Sequence, residues 1–243
     1  MRALVRWIVP AFVAGIAVGF ASGELPWPAL ALLVVLLAVL PPLSVAQATA
    51  APHAVMELRR LSVYLSSMAA LWTLAAVTWL AAHTSGFSPA ELGLVALPVS
   101  SLAGWTAGAF AAALAMAILA RHAGVRESDV LVWLIPRSAE EKLVFAGLAL
   151  TAGFTEEYIF RGFLIPALDV ATGVPALAVV LAVGAFAVLH AYQGVGGIIR
   201  AALLGAVLAA PFLVTGSLIP SILAHFAYDI VAGLWLADRL IRR

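Results

Sequence analysis

The sequence predicts an all-α fold: a polytopic transmembrane helical bundle of about eight spans, with both termini cytoplasmic. Three observations predict it. Of 243 residues, 65% are hydrophobic and 10% are charged. Soluble domains carry roughly 25% charged residues, so polar groups here are too few to cover a water-facing surface. The apolar stretches have the length of helices that cross a hydrocarbon core of about 30 Å, not of the alternating strands, roughly 10 residues long, of a membrane barrel. The basic residues fall between those stretches with one consistent sidedness. The same composition excludes other classes. Cys is absent, which removes disulfide scaffolds, thiolate nucleophiles and Cys-based metal sites. A net charge of +1 speaks against a nucleic-acid partner, and the high hydropathy speaks against disorder.

The predicted spans are residues 7–23, 27–45, 61–81, 100–120, 143–168, 175–192, 198–214 and 219–237. The first begins after Arg2 and Arg6, so it also reads as a signal peptide with Ala-Ser-Gly at 21–23 as the cleavage site. Its length, and the apolar segment that follows at once, favour a retained helix. In the second, Pro41 and Pro42 are expected to end or kink the helix. Residues 47–60 read as an interfacial segment, which divides the chain into an N-terminal part, 1–60, and a core, 61–243. On span four, Gly104 and Gly108 have the GxxxG spacing of a helix contact face, and Gly184 and Gly205 are further candidate contacts. Before span five, Pro136 followed by Ser138, Glu140 and Glu141 has the pattern of a helix start. Trp7, Trp27, Trp79 and Trp235 lie near span ends, where indoles anchor at the interface.

The positive-inside rule orients the bundle. Eight crossings place Arg2, Arg6, Arg59, Arg60, Arg121, Arg126, Arg137, Lys142, Arg200, Arg239, Arg242 and Arg243 on one side, and the connection 82–99 has no Lys or Arg. Only Arg161 remains, inside span five.

Arg161 leads to the chemistry. Span five contains Glu156, Glu157 and Arg161; span six ends with Phe186 and His190; span eight contains His225 and Asp229. Ionisable groups in a bilayer are costly and face the protein interior or a wet cavity. Three spans with such groups point to one shared site. Glu157 and Arg161 are four apart and can pair on one helix face. Glu156 projects about 100° away and is free for another task. His225 and Asp229 also share a face, so Asp229 can orient the imidazole, share a water or ligate a metal. Levels can be compared by helical rise. Glu156 to Leu168 is roughly 18 Å and Ala176 to His190 roughly 21 Å, provided span five runs past Pro166 and does not stop at Phe163. His225 lies only about 9 Å into its span. Alone, each motif has a bland counterpart: a buried ion pair, an interfacial histidine, a helix-clamping hydrogen bond. His53, His83 and His122 read as surface histidines. Gly194, Gly196 and Gly197 read as a helix connection, because no Lys-Ser or Lys-Thr follows to make a phosphate loop.

Taken together, the motifs resemble the CAAX-processing and bacteriocin-immunity family of intramembrane proteases (CPBP), which includes the Ras-converting enzyme. The resemblance covers roughly residues 136–235. Its first motif, a Glu pair with Arg four residues after the second Glu, falls on Glu156, Glu157 and Arg161. Its second falls on Phe186 and His190, its third on His225 and Asp229. The Ras-converting branch has Asn at the last position; an aspartate would repel a developing oxyanion.

The resemblance implies an intramembrane endopeptidase. Glu156 would be the general base, His190 would position or polarise the water, and His225 with Asp229 would complete the water or transition-state site. Glu157, Arg161 and Phe186 would support them. Two versions stand open: Glu156, His190 and His225 hold zinc or another divalent metal, or Glu156 and His190 activate water without one. The HExxH motif of soluble zinc proteases is absent. The implied substrates are membrane proteins or lipidated peptides at the bilayer, with no nucleic acid involved, and the implied location is a bacterial plasma membrane. A proton-coupled transporter and a non-catalytic membrane or immunity-type partner on the same fold are the alternatives.

Overall fold

The computed structural model describes residues 25–50, 53–125 and 128–235, and every regular element among them is helical. The helices are α1 (Trp27–Ala50), α2 (Arg60–Thr84), α3 (Val99–His122), a short α4 (Asp129–Trp133), α5 (Ala139–Thr172), α6 (Pro175–Leu189), α7 (Gly194–Thr215) and α8 (Ile219–Trp235). Helices α1, α2, α3 and α5, and the stretch Ala191–Thr215 that contains α7, are each long and apolar enough to cross a membrane; α6 and α8 are shorter apolar helices. The chain is a multi-pass membrane helical bundle with five candidate spans among the described residues. The predicted span 7–23 with its signal-peptide reading, Arg2, Arg6, Trp7, Arg126, Arg239, Arg242 and Arg243, and the end of span eight at Ala237 lie outside the described residues.

The prolines behave differently from expectation. Helix α1 neither ends nor breaks at Pro41 and Pro42 but runs on to Ala50. The reason lies one turn upstream, where Val35–Val39 widens into a π-helical segment and the Leu40 amide donates to the Val35 carbonyl. A proline in an α-helix removes one amide and crowds the carbonyl four residues back. A wide turn at that position gives the ring room and re-partners the carbonyls. The same device recurs in α5, where Tyr158–Leu164 is π-helical just before Pro166. Helix α5 therefore continues to Thr172 and does not stop at Phe163.

Helix α5 is the centre of the bundle. It packs on α2, α6 and α8; α8 also packs on α3, α7 on α3 and α6, and α1 on α2 and α6. All seven residues of the α5 π segment are buried. Tyr158, Ile159, Phe160, Phe163 and Leu164 share one core with Leu33, Leu36 and Leu37 of α1 and with Ala185 and Val188 of α6. The start of α5 is fixed by a capping box: the Ser138 hydroxyl accepts from the Glu141 amide at 3.1 Å, and the Glu141 carboxylate accepts from the Ser138 amide at 3.1 Å. Glu141 also pairs with Arg60 of α2 at 3.0 Å, and Arg60 donates to the Trp133 carbonyl. This end of α5 is thereby tied to α2 and, through Arg60, to the last residue of α4.

Two features bring α8 against the middle of α5. The first is Gly153. A Cβ there would stand 3.1 Å from the Phe226 amide nitrogen and 3.2 Å from the Ile222 carbonyl oxygen, so only glycine lets the two backbones approach this closely. The second is the seat of α8. The chain before it, Ser217 and Leu218, is fully buried under the connection 85–98. Leu218 donates to the Gly93 carbonyl at 2.9 Å and the Ser217 hydroxyl to the Val95 carbonyl at 2.6 Å. Helix α8 thus starts beneath a loop and not at a helix-end surface, which resolves the mismatch in level expected for His225. By contrast, Gly104 and Gly108 are exposed, and a Cβ placed on either would meet no atom within 4 Å. Among the described residues, the GxxxG spacing on α3 makes no contact. In so Ala- and Gly-rich a sequence, that spacing arises by composition. A Gly153→Val protein is accordingly expected to lose about 1–3 kcal/mol in a detergent unfolding titration. Gly104→Ala and Gly108→Ala should stay within about 0.5 kcal/mol of the parent.

Candidate active site

The site forms where the π segment of α5 meets the ends of α6 and α8. Glu156 and Glu157 are the last residues before the wide turn, and their side chains diverge as the helical rise requires. Glu157 is fully buried, whereas the Glu156 side chain keeps 16% of its surface exposed. Glu157 pairs with Arg161 at 3.1 Å, as the spacing predicts. Arg161 is itself buried. Its guanidinium donates to the Gly205 carbonyl of α7 at 3.1 Å and lies 4.5 Å from the centre of the Phe186 ring. Gly205 makes this possible, since a Cβ there would sit 3.2 Å from the Phe186 ring and 3.4 Å from the guanidinium.

The sequence assigns His225 to Asp229, one turn on. The structure gives its nearer partner as Glu157: His225 Nδ1 lies 2.8 Å from Glu157 Oε1. That oxygen also receives Arg161, so it acts as a carboxylate acceptor and the imidazole donates from Nδ1. His225 Nε2 is left facing two half-buried carboxylates, Asp229 at 3.6 Å and Glu156 at 3.9 Å. Both distances are beyond a direct hydrogen bond and suit a bridging oxygen. The Asp229 side chain keeps 27% of its surface exposed, so this wall can be reached from outside.

His190 caps the end of α6, and its Nδ1 is 2.8 Å from the Phe186 carbonyl. A carbonyl only accepts, so His190 too carries its proton on Nδ1 and presents an Nε2 lone pair when neutral. The Phe186 ring joins the two histidines, with centroids 4.7 Å from His190 and 6.4 Å from His225. The seven side chains singled out on three separate spans are therefore linked in one cluster through His225 and Phe186. Both imidazoles are held at Nδ1 and turned to offer Nε2.

Some contributors are not among those seven. The Ser44 hydroxyl of α1 donates to the Leu189 carbonyl at 3.0 Å, the last carbonyl before His190. Helix α1 thereby helps fix the histidine's backbone. Tyr192 stacks beside His190 with centroids 6.1 Å apart, and the Gln193 side-chain amide donates to its hydroxyl at 2.9 Å. The signal available for these two was their place two and three residues after His190; the predicted span 175–192 absorbed Tyr192 as its apolar end and stopped before Gln193.

Imidazoles that donate Nδ1–H to a carboxylate or a carbonyl are oriented as metal-bound histidines usually are. The rest of a metal site does not follow. Among the described residues, no three His, Asp or Glu side chains are grouped to hold one ion, the expected set Glu156, His190 and His225 included. The fit is incomplete, and no step below passes through a metal.

Residues 138–231 match the family described as Type II CAAX prenyl endopeptidase Rce1-like. The match spans α5 to α8 and includes all seven side chains of the site. No curated protein and no solved structure matches the chain. The segment 138–231 is thus a CAAX-protease-type domain with a buried His/Glu cluster at its centre.

Proposed function

We propose that this chain, through its Rce1-like domain, hydrolyses peptide bonds of membrane-associated proteins or lipidated peptides, with water activated by Glu156. The observation that carries the reading is the placement of a reachable Glu156 carboxylate 3.9 Å from an imidazole whose other nitrogen is locked by a buried ion pair. Glu156 takes a proton from the attacking water. His190 Nε2 accepts from the same water and fixes its direction. The lone pair of the water attacks the scissile carbonyl carbon, and the carbonyl electrons move to oxygen. Glu156 then returns the proton to the departing amine as the C–N bond breaks. His225 and Asp229 line the opposite wall, and Glu157 and Arg161 hold His225 in place. Phe186 spaces the two imidazoles.

The mechanism is proposed to be metal-independent. The support is a pair of carboxylates poised at water-bridging distances from one imidazole nitrogen. The distribution of Lys and Arg supports eight crossings with both termini cytoplasmic. The test uses purified protein in phosphatidylethanolamine–phosphatidylglycerol vesicles with two probes, a single-pass helical peptide and a C-terminally prenylated peptide, cleavage being read by mass spectrometry. Cleavage that persists after dialysis against EDTA and 1,10-phenanthroline, and that is lost in Glu156→Ala and in His190→Ala, is the expected result. Loss on chelation, restored by a divalent metal, would overturn metal independence. Proton or ion flux without cleavage would favour a carrier.

A further inference from the structure

We infer that Tyr192 is a further catalytic residue, whose hydroxyl donates a hydrogen bond to the oxyanion formed at the scissile carbonyl. The inference rests on the proteolytic reading above and deepens it. The need arises from Asp229. A carboxylate accepts hydrogen bonds and repels negative charge, so Asp229 offers no donor to an oxyanion.

The turn after His190 is built around such a donor. Gln193 donates its amide to the His190 carbonyl at 2.9 Å, which closes a single 3₁₀ turn over Ala191–Gln193 and holds Tyr192 beside the histidine. The Tyr192 ring stacks on His190, continuing the row that begins with Phe186. Its hydroxyl oxygen accepts from the Gln193 side chain, so the lone pair is occupied and the O–H proton points elsewhere. A hydroxyl that accepts one hydrogen bond donates the next more strongly. Tyr192 belongs to the site through His190, whose ring it flanks with centroids 6.1 Å apart. It remains 43% exposed, so a substrate can reach it.

Two glycines serve this arrangement. Gly194 has φ +76°, a backbone conformation that other residues adopt with strain, and it starts α7 immediately after Gln193. Gly197 lies under the Gln193 side chain, where a Cβ would overlap Gln193 Cβ and stand 3.2 Å from its amide oxygen. The Gly-rich connection therefore makes room for the residue that polarises Tyr192.

In the reaction, water oxygen bonds to the carbonyl carbon and its proton passes to Glu156. The carbonyl π electrons move to oxygen, and the Tyr192 O–H bonds to that oxygen without giving up its proton. Collapse restores the carbonyl, breaks the C–N bond and delivers the Glu156 proton to nitrogen. Tyr192 ends as it began.

The experiment compares wild type, Tyr192→Phe and Gln193→Met in vesicles. It uses the single-pass or prenylated peptide that the wild type cleaves and a phosphonamidate analogue of that peptide as a tetrahedral mimic. Tyr192→Phe is expected to lower kcat by about 10²-fold with KM within threefold, and to weaken the phosphonamidate by a matching factor. Gln193→Met should lower kcat by a smaller factor, with unfolding midpoints of both variants at the wild-type value. A purely structural role would move the midpoint and KM without singling out the tetrahedral mimic. Wild-type kcat in Tyr192→Phe, or lost kcat with unchanged phosphonamidate affinity, overturns this assignment and leaves the protease reading intact. A wild-type protein that cleaves neither probe overturns both.

Discussion

Glu156→Gln is expected to lower kcat by about 10²–10⁴-fold, the range a positioned general base contributes. KM and the unfolding midpoint should stay near wild type. The separation follows from where the carboxylate sits. Among the described residues Glu156 makes no direct hydrogen bond through its carboxylate: His225 Nε2 lies 3.9 Å away, and the side chain is partly exposed. An isosteric amide therefore leaves no buried group unpaired and opens no cavity. What it removes is the ability to take a proton from water. Steady-state kinetics in vesicles, with denaturation of the same preparation in rising SDS, measure both halves. The residual activity of the variant should also lose the acid limb of the wild-type pH profile, because that limb reports protonation of the base. Retention of more than about a tenth of wild-type kcat would assign the base elsewhere.

The adjacent Glu157 teaches how far local spacing reaches. Helical rise places Glu156 and Glu157 on different faces and pairs Glu157 with Arg161, and both hold in the structure. Spacing within one helix also paired His225 with Asp229. That pair exists at 3.6 Å, but Nδ1 donates its hydrogen bond to Glu157, on another helix and 68 residues away. An i,i+4 argument sees only neighbours on one helix, whereas a buried imidazole takes the best acceptor that tertiary packing supplies. The five long apolar helices among the described residues were legible because hydropathy reports the bilayer directly. The continuity of α1 through Pro41 and Pro42, and of α5 through Pro166, was not. Both depend on π segments, and hydrophobic periodicity carries no mark of a turn wider by one residue. Of the contact glycines, Gly205 was legible as a candidate, whereas Gly153 was not. Gly153 and Gly205 face backbone and guanidinium, while Gly104 and Gly108, with the better-known spacing, face no atom among the described residues. The seat of α8 under the loop at Gly93 and Val95 is a long-range pairing that no window along the sequence contains.

The largest structural effect is expected at Arg161. Its guanidinium is among the most deeply buried side chains of the protein and satisfies three partners at once: the Glu157 carboxylate, the Gly205 carbonyl and the face of Phe186. Arg161→Met keeps much of the volume but leaves a buried carboxylate without its cation. Removing one partner of a buried pair costs about 3–5 kcal/mol, mostly the penalty of the orphaned charge. Arg161→Lys should recover little, because an ammonium can neither fork between carboxylate and carbonyl nor lie flat on the ring. Glu157→Gln alone should also destabilise, since it strands the guanidinium. The double variant Glu157→Gln/Arg161→Met removes both charges. It should regain part of the loss, so the two substitutions should couple by more than about 0.5 kcal/mol in an SDS unfolding cycle. Activity should not return with stability. Glutamine at 157 can still accept from His225 Nδ1, but it does so as a neutral group without an arginine to hold it in place, so Nε2 loses its fixed direction toward Glu156 and Asp229. Additive energies in that cycle would mean that the pair is incidental to the fold. Coupled stability with full activity would mean that the ion pair supports the bundle without aiming the histidine.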